Sequence, residues 1–272
     1  MSTTVVALLP DRGVVSLSGT DAADFLDNIV TNDLSGIRVG GARFAGLLTP
    51  QGKILFEFFA LRTVEGFLLE TRADRAAALL KRLTTAWGPE APSIEDGWCY
   101  ADPRDPDLGW RLMVPRAKLE SLPGQVVSEA LYHERRVALG VAEGGFDYAL
   151  GDTFPHEANY DRLHGVSFTK GCFVGQEVVA RMQNKTVVRK RVTLVTGAEP
   201  LTTGAEIKIG AAVIGTIGSV AGSHGLALLR IDRAAEAADK GEPLTAGAAT
   251  IVIDTAALDR YRASAAARAS AP

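Results

Sequence analysis

From residue 189 to residue 253 the chain breaks into short β-type runs, at 192–195, 205–209, 212–220, 226–231 and 250–253, separated by glycine-containing turns. Short strands at this spacing point to a small antiparallel barrel or sandwich. Gly215, Gly218, Gly222 and Gly225 lack the spacing of a dinucleotide-binding fingerprint between a strand and a helix. They read as barrel bends and turns.

The part before residue 189 has a different pattern. A short strand at 14–17 leads to Thr20 or Asp21, either of which suits a helix N-cap, and Ala22, Phe25, Leu26, Ile29 and Val30 then share one helical face. That helix ends at Thr31, Asn32 and Asp33. Strand patterns at 43–48 and 53–61 flank Thr49-Pro50-Gln51-Gly52, with Pro and Gly at the positions a type I turn prefers. A strand at 67–70 and a helix at 74–84 follow, an α+β succession. Residues 87–92 and 101–107, rich in Pro, Gly and Asp, read as loops, 110–114 as a strand, 119–122 as a short helix and 127–138 as a helix. The stretch 144–163 has little periodicity, and a long irregular segment in a compact domain is usually functional. The expected division is 1–97, 98–188 and a barrel at 189–258, with a flexible tail at 259–272.

The hydrophobic fraction of 47% over 272 residues suffices for two or three domain cores. A net charge of −3 gives no global field for nucleic acid or an anionic membrane. The two cysteines, Cys99 and Cys172, suit a reducing compartment, and the four histidines, His133, His156, His164 and His224, have no paired metal-ligand spacing. The first ten residues carry no cationic segment followed by a signal-type apolar core, and no apolar run reaches the roughly 18 residues that span a bilayer. The expectation is a cytoplasmic protein without a membrane segment.

The densest chemistry lies at 170–177, Lys-Gly-Cys-Phe-Val-Gly-Gln-Glu. Cys172 falls between glycines, beside Lys170 and shortly before a helix that opens on Gln176 and Glu177 and carries Arg181. A neighbouring cation and a helix N-terminus both favour a thiolate, which makes Cys172 the candidate reactive or ligand thiol and Lys170 its tuning cation; the other reading of the residues is a buried, inert cysteine in a tight loop. Three further segments join it. Thr31-Asn32-Asp33 read alone is an Asx turn at a helix end. Pro155-His156-Glu157-Ala158-Asn159 offers a loop carboxylate able to accept hydrogen bonds from an aminopyrimidine edge. Lys185, Arg189, Lys190 and Arg191 form a basic cluster that reads either as a polyanion site or as a solvated face. Arg135 and Arg136 suit a bidentate carboxylate or the end of a helix dipole. There is no P-loop, nucleophile elbow, paired-histidine metal motif or kinase signature.

Taken together, these residues resemble the YgfZ-type folate-binding proteins, relatives of the aminomethyltransferase (T-protein) of the glycine cleavage system. The resemblance covers most of the chain. It rests on residues 170–177 and on their flanks: Phe25-Leu26 through Thr31-Asn32-Asp33, Leu47-Leu48-Thr49-Pro50-Gln51-Gly52-Lys53, and Pro155, Glu157, Asn159 and Asp161 through Gly165-Val166-Ser167-Phe168. It implies an α+β, three-domain clover-leaf aminomethyltransferase-like fold around a channel for tetrahydrofolate or a one-carbon derivative, with a C-terminal antiparallel β-barrel. Asn32, Asp33, Glu157, Gln176, Glu177 and Arg181 would be the folate-binding residues. It further implies a role in assembling or repairing iron–sulfur proteins, tRNA-modifying enzymes included, with assembly factors or client enzymes as partners and Cys172 as a transient cluster ligand.

The chain departs from the T-protein pattern where that enzyme needs acids. The positions matching its aspartate pair look like Phe56 and Glu57, and a pterin-binding glutamate falls near Ala138. A Phe can act neither as acid nor as base, and a Glu is one methylene too long for the same geometry. Aminomethyl transfer is therefore the second reading. A tRNA-binding module using the basic cluster is the third.

Overall fold

The computed structural model describes residues 4–84 and 97–270; the expected loop at 87–92 lies outside them. Contacts divide the chain into two interleaved units, one of Met1–Pro50, Ile54–Tyr132 and Arg162–Val174, the other of Gln51–Lys53, His133–Asp161 and Gly175–Pro272. The expected division was into successive segments. The chain crosses between them at the hairpin turn Gln51–Lys53, within the helix that holds Tyr132 and His133, and twice in the irregular stretch before residue 176.

In the first unit the elements are β1 (Val5–Ala7), β2 (Arg12–Ser18), α1 (Ala22–Ile29), β3 (Ala42–Leu48), β4 (Ile54–Arg62), β5 (Gly66–Arg72), α2 (Ala73–Thr84), β6 (Trp98–Ala101), β7 (Trp110–Met113) and β8 (Gln125–Val127). Helix α3 (Glu129–Ala138) ends in the second unit. There follow α4 (Gln176–Lys185), β9 (Lys190–Gly197), β10 (Glu206–Ile209), β11 (Ala212–Ala221), β12 (His224–Arg230), α5 (Ile231–Lys240), β13 (Leu244–Ala246), β14 (Ala249–Ile253) and α6 (Thr255–Ala269).

The first unit is built on an antiparallel sheet in the order β2-β5-β4-β3. Along β4, Phe56, Phe58 and Ala60 alternate with Glu57, Phe59 and Leu61, so the two sets lie on opposite faces. The first set joins Leu17, Leu26, Phe67, Leu69 and Leu79 in one core beneath α1 and α2. Asp21 makes no side-chain cap bond to α1, so burial of Ala22 and Leu26 is what holds this short helix.

On the other face, Glu70 and Phe59 meet residues of β6, β7 and the loop between them. Arg12 Nε reaches Glu70 Oε1 at 3.1 Å, Arg111 pairs with the same carboxylate, and Tyr100 donates to Glu70 Oε2 at 2.6 Å. Arg104 pairs with Asp102 at 2.8 Å, and the guanidiniums of Arg104 and Arg111 lie 4.7 and 4.4 Å from the Phe59 ring centre. Burial alone would raise the Glu70 pKa, but the Arg111 and Arg12 charges override it and hold the carboxyl at about 2.

The second unit contains a closed barrel, β10-β11-β12-β9-β14-β13, which meets the expectation for the C-terminal region. Its core includes Val195, Ile207, Ile217, Leu229 and Ile251, with Ile231, Ala234 and Ala235 of α5 packed into the same cluster. Arg136, at the end of α3, is buried and tied to this unit. It donates to Asp147 Oδ2 at 2.5 Å, to the Val141 carbonyl at 2.8 Å and to Ser219 Oγ of β11 at 2.6 Å.

Several elements differ from expectation. Ala101, read as loop, ends β6, and Pro106–Leu108 forms a short 3-10 turn; the short helix expected at 119–122 is a 3-10 turn that starts earlier and spans Arg116–Ser121, with Leu122 as its extended cap. The strand pattern at 226–231 stops at Arg230, and α5 begins at Ile231. The segment read as a flexible tail forms most of α6, whose start is capped by Asp254 accepting from the Ala256 and Ala257 amides at 3.2 and 3.1 Å.

Candidate functional site

The site begins at the end of α1, where the last carbonyls of a helix need partners. Lys170 supplies them. Its ammonium donates to the carbonyls of Asp27, Val30 (3.1 Å) and Asn32 (2.8 Å) and lies 3.2 Å from Asp27 Oδ1. Its side chain is 2% exposed, and burial pulls its pKa below the usual lysine value while Asp27 opposes the shift. An ammonium has three N–H groups and this one faces four oxygens, so it has none left to turn toward the thiol. Lys170 thus closes a helix and anchors the loop that carries Cys172. Lys170→Met should lower the unfolding free energy by about 1–3 kcal/mol, since buried carbonyls lose their donor and the helix end its cation. An unchanged urea midpoint would show that solvent satisfies those oxygens.

The neighbouring Thr31-Asn32-Asp33 is stitched to the same segment. Thr31 Oγ1 donates to the Gly165 carbonyl at 2.6 Å and accepts from the Gly46 amide at 2.8 Å, while the Thr31 carbonyl accepts from the Ser167 amide at 2.9 Å. Asn32 Nδ2 spends both N–H groups, on the carbonyls of Phe44 (2.8 Å) and His164 (2.6 Å). Asn32 therefore has no amide donor to offer a ligand. Asp33 is half-buried, and its carboxyl is lowered chiefly by the Ser35 hydroxyl, which donates to it at 2.6 Å.

On this scaffold Cys172 is exposed. Gly171 is not held by crowding, since a Cβ there would meet nothing within 4 Å. The glycine that needs its freedom is Gly175, at the N-cap of α4 with φ of 83°. The 170–177 segment thus divides: Lys170 and Cys172 belong to the first unit, Gln176 and Glu177 to the second.

Within the second unit, Gln176 is half-buried, whereas Glu177 and Arg181 are exposed on α4. Gly52 lies against this helix so closely that a Cβ would come 2.8 Å from Val178 Cβ. Glu157 accepts from the Phe154 amide through Oε2 at 2.9 Å. The buried His156 lies 2.9 Å from Gln183 Oε1 through Nε2, and burial lowers its pKa.

The basic cluster separates. Arg191 is buried and donates to Asp161 (2.7 and 2.9 Å), Asn159 Oδ1 (2.9 Å) and the His156 carbonyl (2.7 Å), while Asn159 Nδ2 returns to the Val192 carbonyl at 2.8 Å. This clamp fixes the irregular segment to β9, with Asn159 in the left-handed region at φ 61°, a conformation Asn tolerates. Arg191 is thereby withdrawn from any polyanion surface. Arg136, weighed as a ligand for an external carboxylate, holds the internal Asp147. Sequence reasoning missed both clamps, because the partners of Arg136 and Arg191 lie in the irregular segment, where no periodicity marks which carboxylates turn inward.

At the positions matched to the T-protein acids, Phe56 lies in the helix-side core with the Arg75 guanidinium 5.3 Å from its ring centre, Glu57 is buried on the opposite sheet face, and Ala138 is exposed. No group of His, Cys, Asp and Glu among the described residues is arranged to hold a metal ion, and no described helix is long and apolar enough to cross a membrane.

Comparison with known proteins places this geometry. The family described as CAF17, C-terminal beta-barrel domain matches residues 189–258. The glycine cleavage system aminomethyltransferase T of Bartonella henselae superposes with a TM-score of 0.70 at 18% identity, over 89% of this chain and 82% of that one, which establishes an aminomethyltransferase-like fold. The mitochondrial iron–sulfur cluster assembly factor IBA57 of Homo sapiens is 32% identical, with 81% of this chain and 76% of the human protein covered. That of Mus musculus is 30% identical over 82% and 76%. The Neurospora crassa homologue is 30% identical over 68% of this chain and 52% of its own length, so the chain spans about half of that relative. All three relatives are named as mitochondrial, which overturns the cytoplasmic expectation; the short N-terminal stretch on which that expectation leaned carries little information. The YgfZ-type resemblance resolves accordingly: the chain belongs to the family of the iron–sulfur cluster assembly factor IBA57.

Proposed function

We propose that this protein acts in iron–sulfur cluster assembly or repair, with the exposed thiol of Cys172 as the group that meets a cluster, a folate or a redox partner. The observation that carries the reading is the placement of Cys172: an exposed sulfur on a loop anchored by Lys170, in a chain whose relatives are named cluster assembly factors. Sulfur is a soft ligand suited to iron, and its exposure permits transient ligation. Assembly factors and cluster enzymes, tRNA-modifying ones among them, are the proposed partners. Cys172→Ala should fold normally, because an exposed side chain buries little, yet cells relying on it should lose several-fold in the activity of cluster-dependent enzymes. Full complementation by that variant would remove the thiol from the mechanism.

Tetrahydrofolate is the proposed ligand, supported by the aminomethyltransferase-like fold. The fit is uneven. Asn32 is committed to backbone carbonyls, whereas Glu157, Gln176, Glu177 and Arg181 in the second unit, and Asp33 in the first, keep polar groups at or near the surface. Titration of tetrahydrofolate and folinate against the purified protein tests this part separately, and absence of binding at millimolar ligand would overturn it without touching the thiol proposal.

A further inference from the structure

Among the described residues away from the Cys172 loop, a basic seam in the second unit stands without carboxylate partners. Between Glu177 and Glu199 the chain has no Asp or Glu, while Arg181, Lys185, Arg189, Lys190 and Arg191 fall in that interval. Arg191 turns inward to Asp161. The other four stay outside, with Arg181, Lys185 and Arg189 exposed and Lys190 half-buried, and none forms an ion pair with a described residue.

Arg268 extends the seam from α6. Its guanidinium donates to the carbonyls of Gln183 and Asn184, in the last turn of α4, and has no carboxylate partner among the described residues. These bonds satisfy open helix carbonyls and fix where the fifth charge sits. Arg189 also lies near α6: burial and the Asp232 charge push the Tyr261 phenol up, and the Arg189 charge opposes them.

The acids of α5, of α6 and of the α6 cap are already engaged. Asp232 pairs with Arg230 at 2.6 Å, Asp239 with Arg262 at 2.5 Å and Asp254 with Arg260 at 3.3 Å. Glu177, one helical turn before Arg181, forms no ion pair with it among the described contacts. In a chain of net charge −3, five cations without an ion-pair partner among the described residues thus fall on α4, at the start of β9 and on α6 where it meets the end of α4.

We infer that this seam is a docking surface for an acidic partner protein. Complementary charge raises the encounter rate and fixes the orientation of two proteins while adding modest affinity, which suits a factor that must engage and release its partner. The chemistry favours protein over nucleic acid. Residues 181–190 contain no aromatic side chain on which a base could stack. The inference goes beyond the proposed function and stands apart from its thiol, since Cys172 belongs to the first unit.

The test uses the full chain, a fluorescein-labelled decaglutamate peptide and bulk tRNA as probes, and a salt series. Wild type should bind the peptide with an affinity that falls as salt rises, and Lys185→Glu with Arg189→Glu should weaken it by about tenfold or more. The milder pair Lys185→Gln with Arg189→Gln should give an intermediate loss, which guards against a folding defect in the reversed pair. Arg116→Glu with Lys118→Glu, the same charge change on an exposed turn of the first unit, should retain binding. Failure of wild type to bind the peptide, equal loss in the control pair, or no loss in either seam pair would overturn the inference. So would tighter binding of tRNA than of the peptide, with a steep salt slope that the seam variants abolish, because the surface would then serve nucleic acid.

Discussion

Replacing Arg136 by alanine is expected to cost the protein about 3–5 kcal/mol of stability, the range found when one member of a buried ion pair is removed and its partner stays behind. Arg136 is 1% exposed, Asp147 4% and Glu143 2%. Without the guanidinium, and among the described residues, Asp147 Oδ2 keeps the Glu143 amide at 2.8 Å and Oδ1 the Ser219 amide at 2.7 Å, while the ion pair from Arg136 Nε to Glu143 at 3.6 Å disappears. Gly218 sits so close that a Cβ there would be 2.7 Å from the Asp147 Cα, so the Asp147 loop is packed directly against β11. Urea unfolding followed by far-UV circular dichroism checks the expectation: the midpoint should fall sharply in Arg136→Ala, and a shift equivalent to less than about 1 kcal/mol would mean that water replaces the guanidinium.

Glu70→Gln is the second large effect, and it depends on pH. The folded-state pKa of Glu70 is about 2 against an ordinary 4.5, so the native state favours the charged form by about 3 kcal/mol. Because the folded value is depressed, this stability is fully present above pH 4.5 and is lost as pH falls from there toward about 2. At neutral pH, Glu70→Gln leaves the Arg12 and Arg111 guanidiniums without that carboxylate and should unfold at clearly lower urea. On acidification the wild type should lose its advantage, and the two midpoints should converge. Parallel midpoints for the two proteins between about pH 5 and pH 3 would assign the acid sensitivity to other carboxylates.

Much of the fold follows from local patterns. Pro50 and Gly52 predict the β3–β4 hairpin, and Gly52 takes φ of 80° at its turn. The periodicity of Phe25, Leu26 and Ile29 predicts α1, and the glycine-punctuated runs after residue 189 predict the closed barrel. The failures have local causes too. Strand β6 ends directly before Asp102 and Pro103, whose turn character hides it, yet Tyr100 and Arg111 face each other across the β6–β7 pair. Helix α5 begins at an isoleucine that continues the preceding strand pattern, and α6 is so rich in alanine that it has no apolar stripe to mark it.

For the candidate site, the sequence marked the right segments but not the tasks of their residues. Lys170, Asn32, Asp161 and Arg191 all stood out as polar side chains in dense motifs. Each is turned to a backbone carbonyl or a buried partner. A motif shows which groups are available; burial decides which of them must be satisfied internally, and that depends on chain segments far apart in sequence.

The sequence by itself therefore determined the two kinds of architecture, α+β followed by a barrel, and singled out Cys172 as the thiol worth following, because periodicity and turn chemistry are properties of neighbouring residues. Only the tertiary structure decided that Lys170 closes α1, that Arg136 and Arg191 are internal clamps, and that Arg268 binds the last carbonyls of α4. Those outcomes depend on which distant carbonyls and carboxylates lose water when the chain packs, and no local pattern records that.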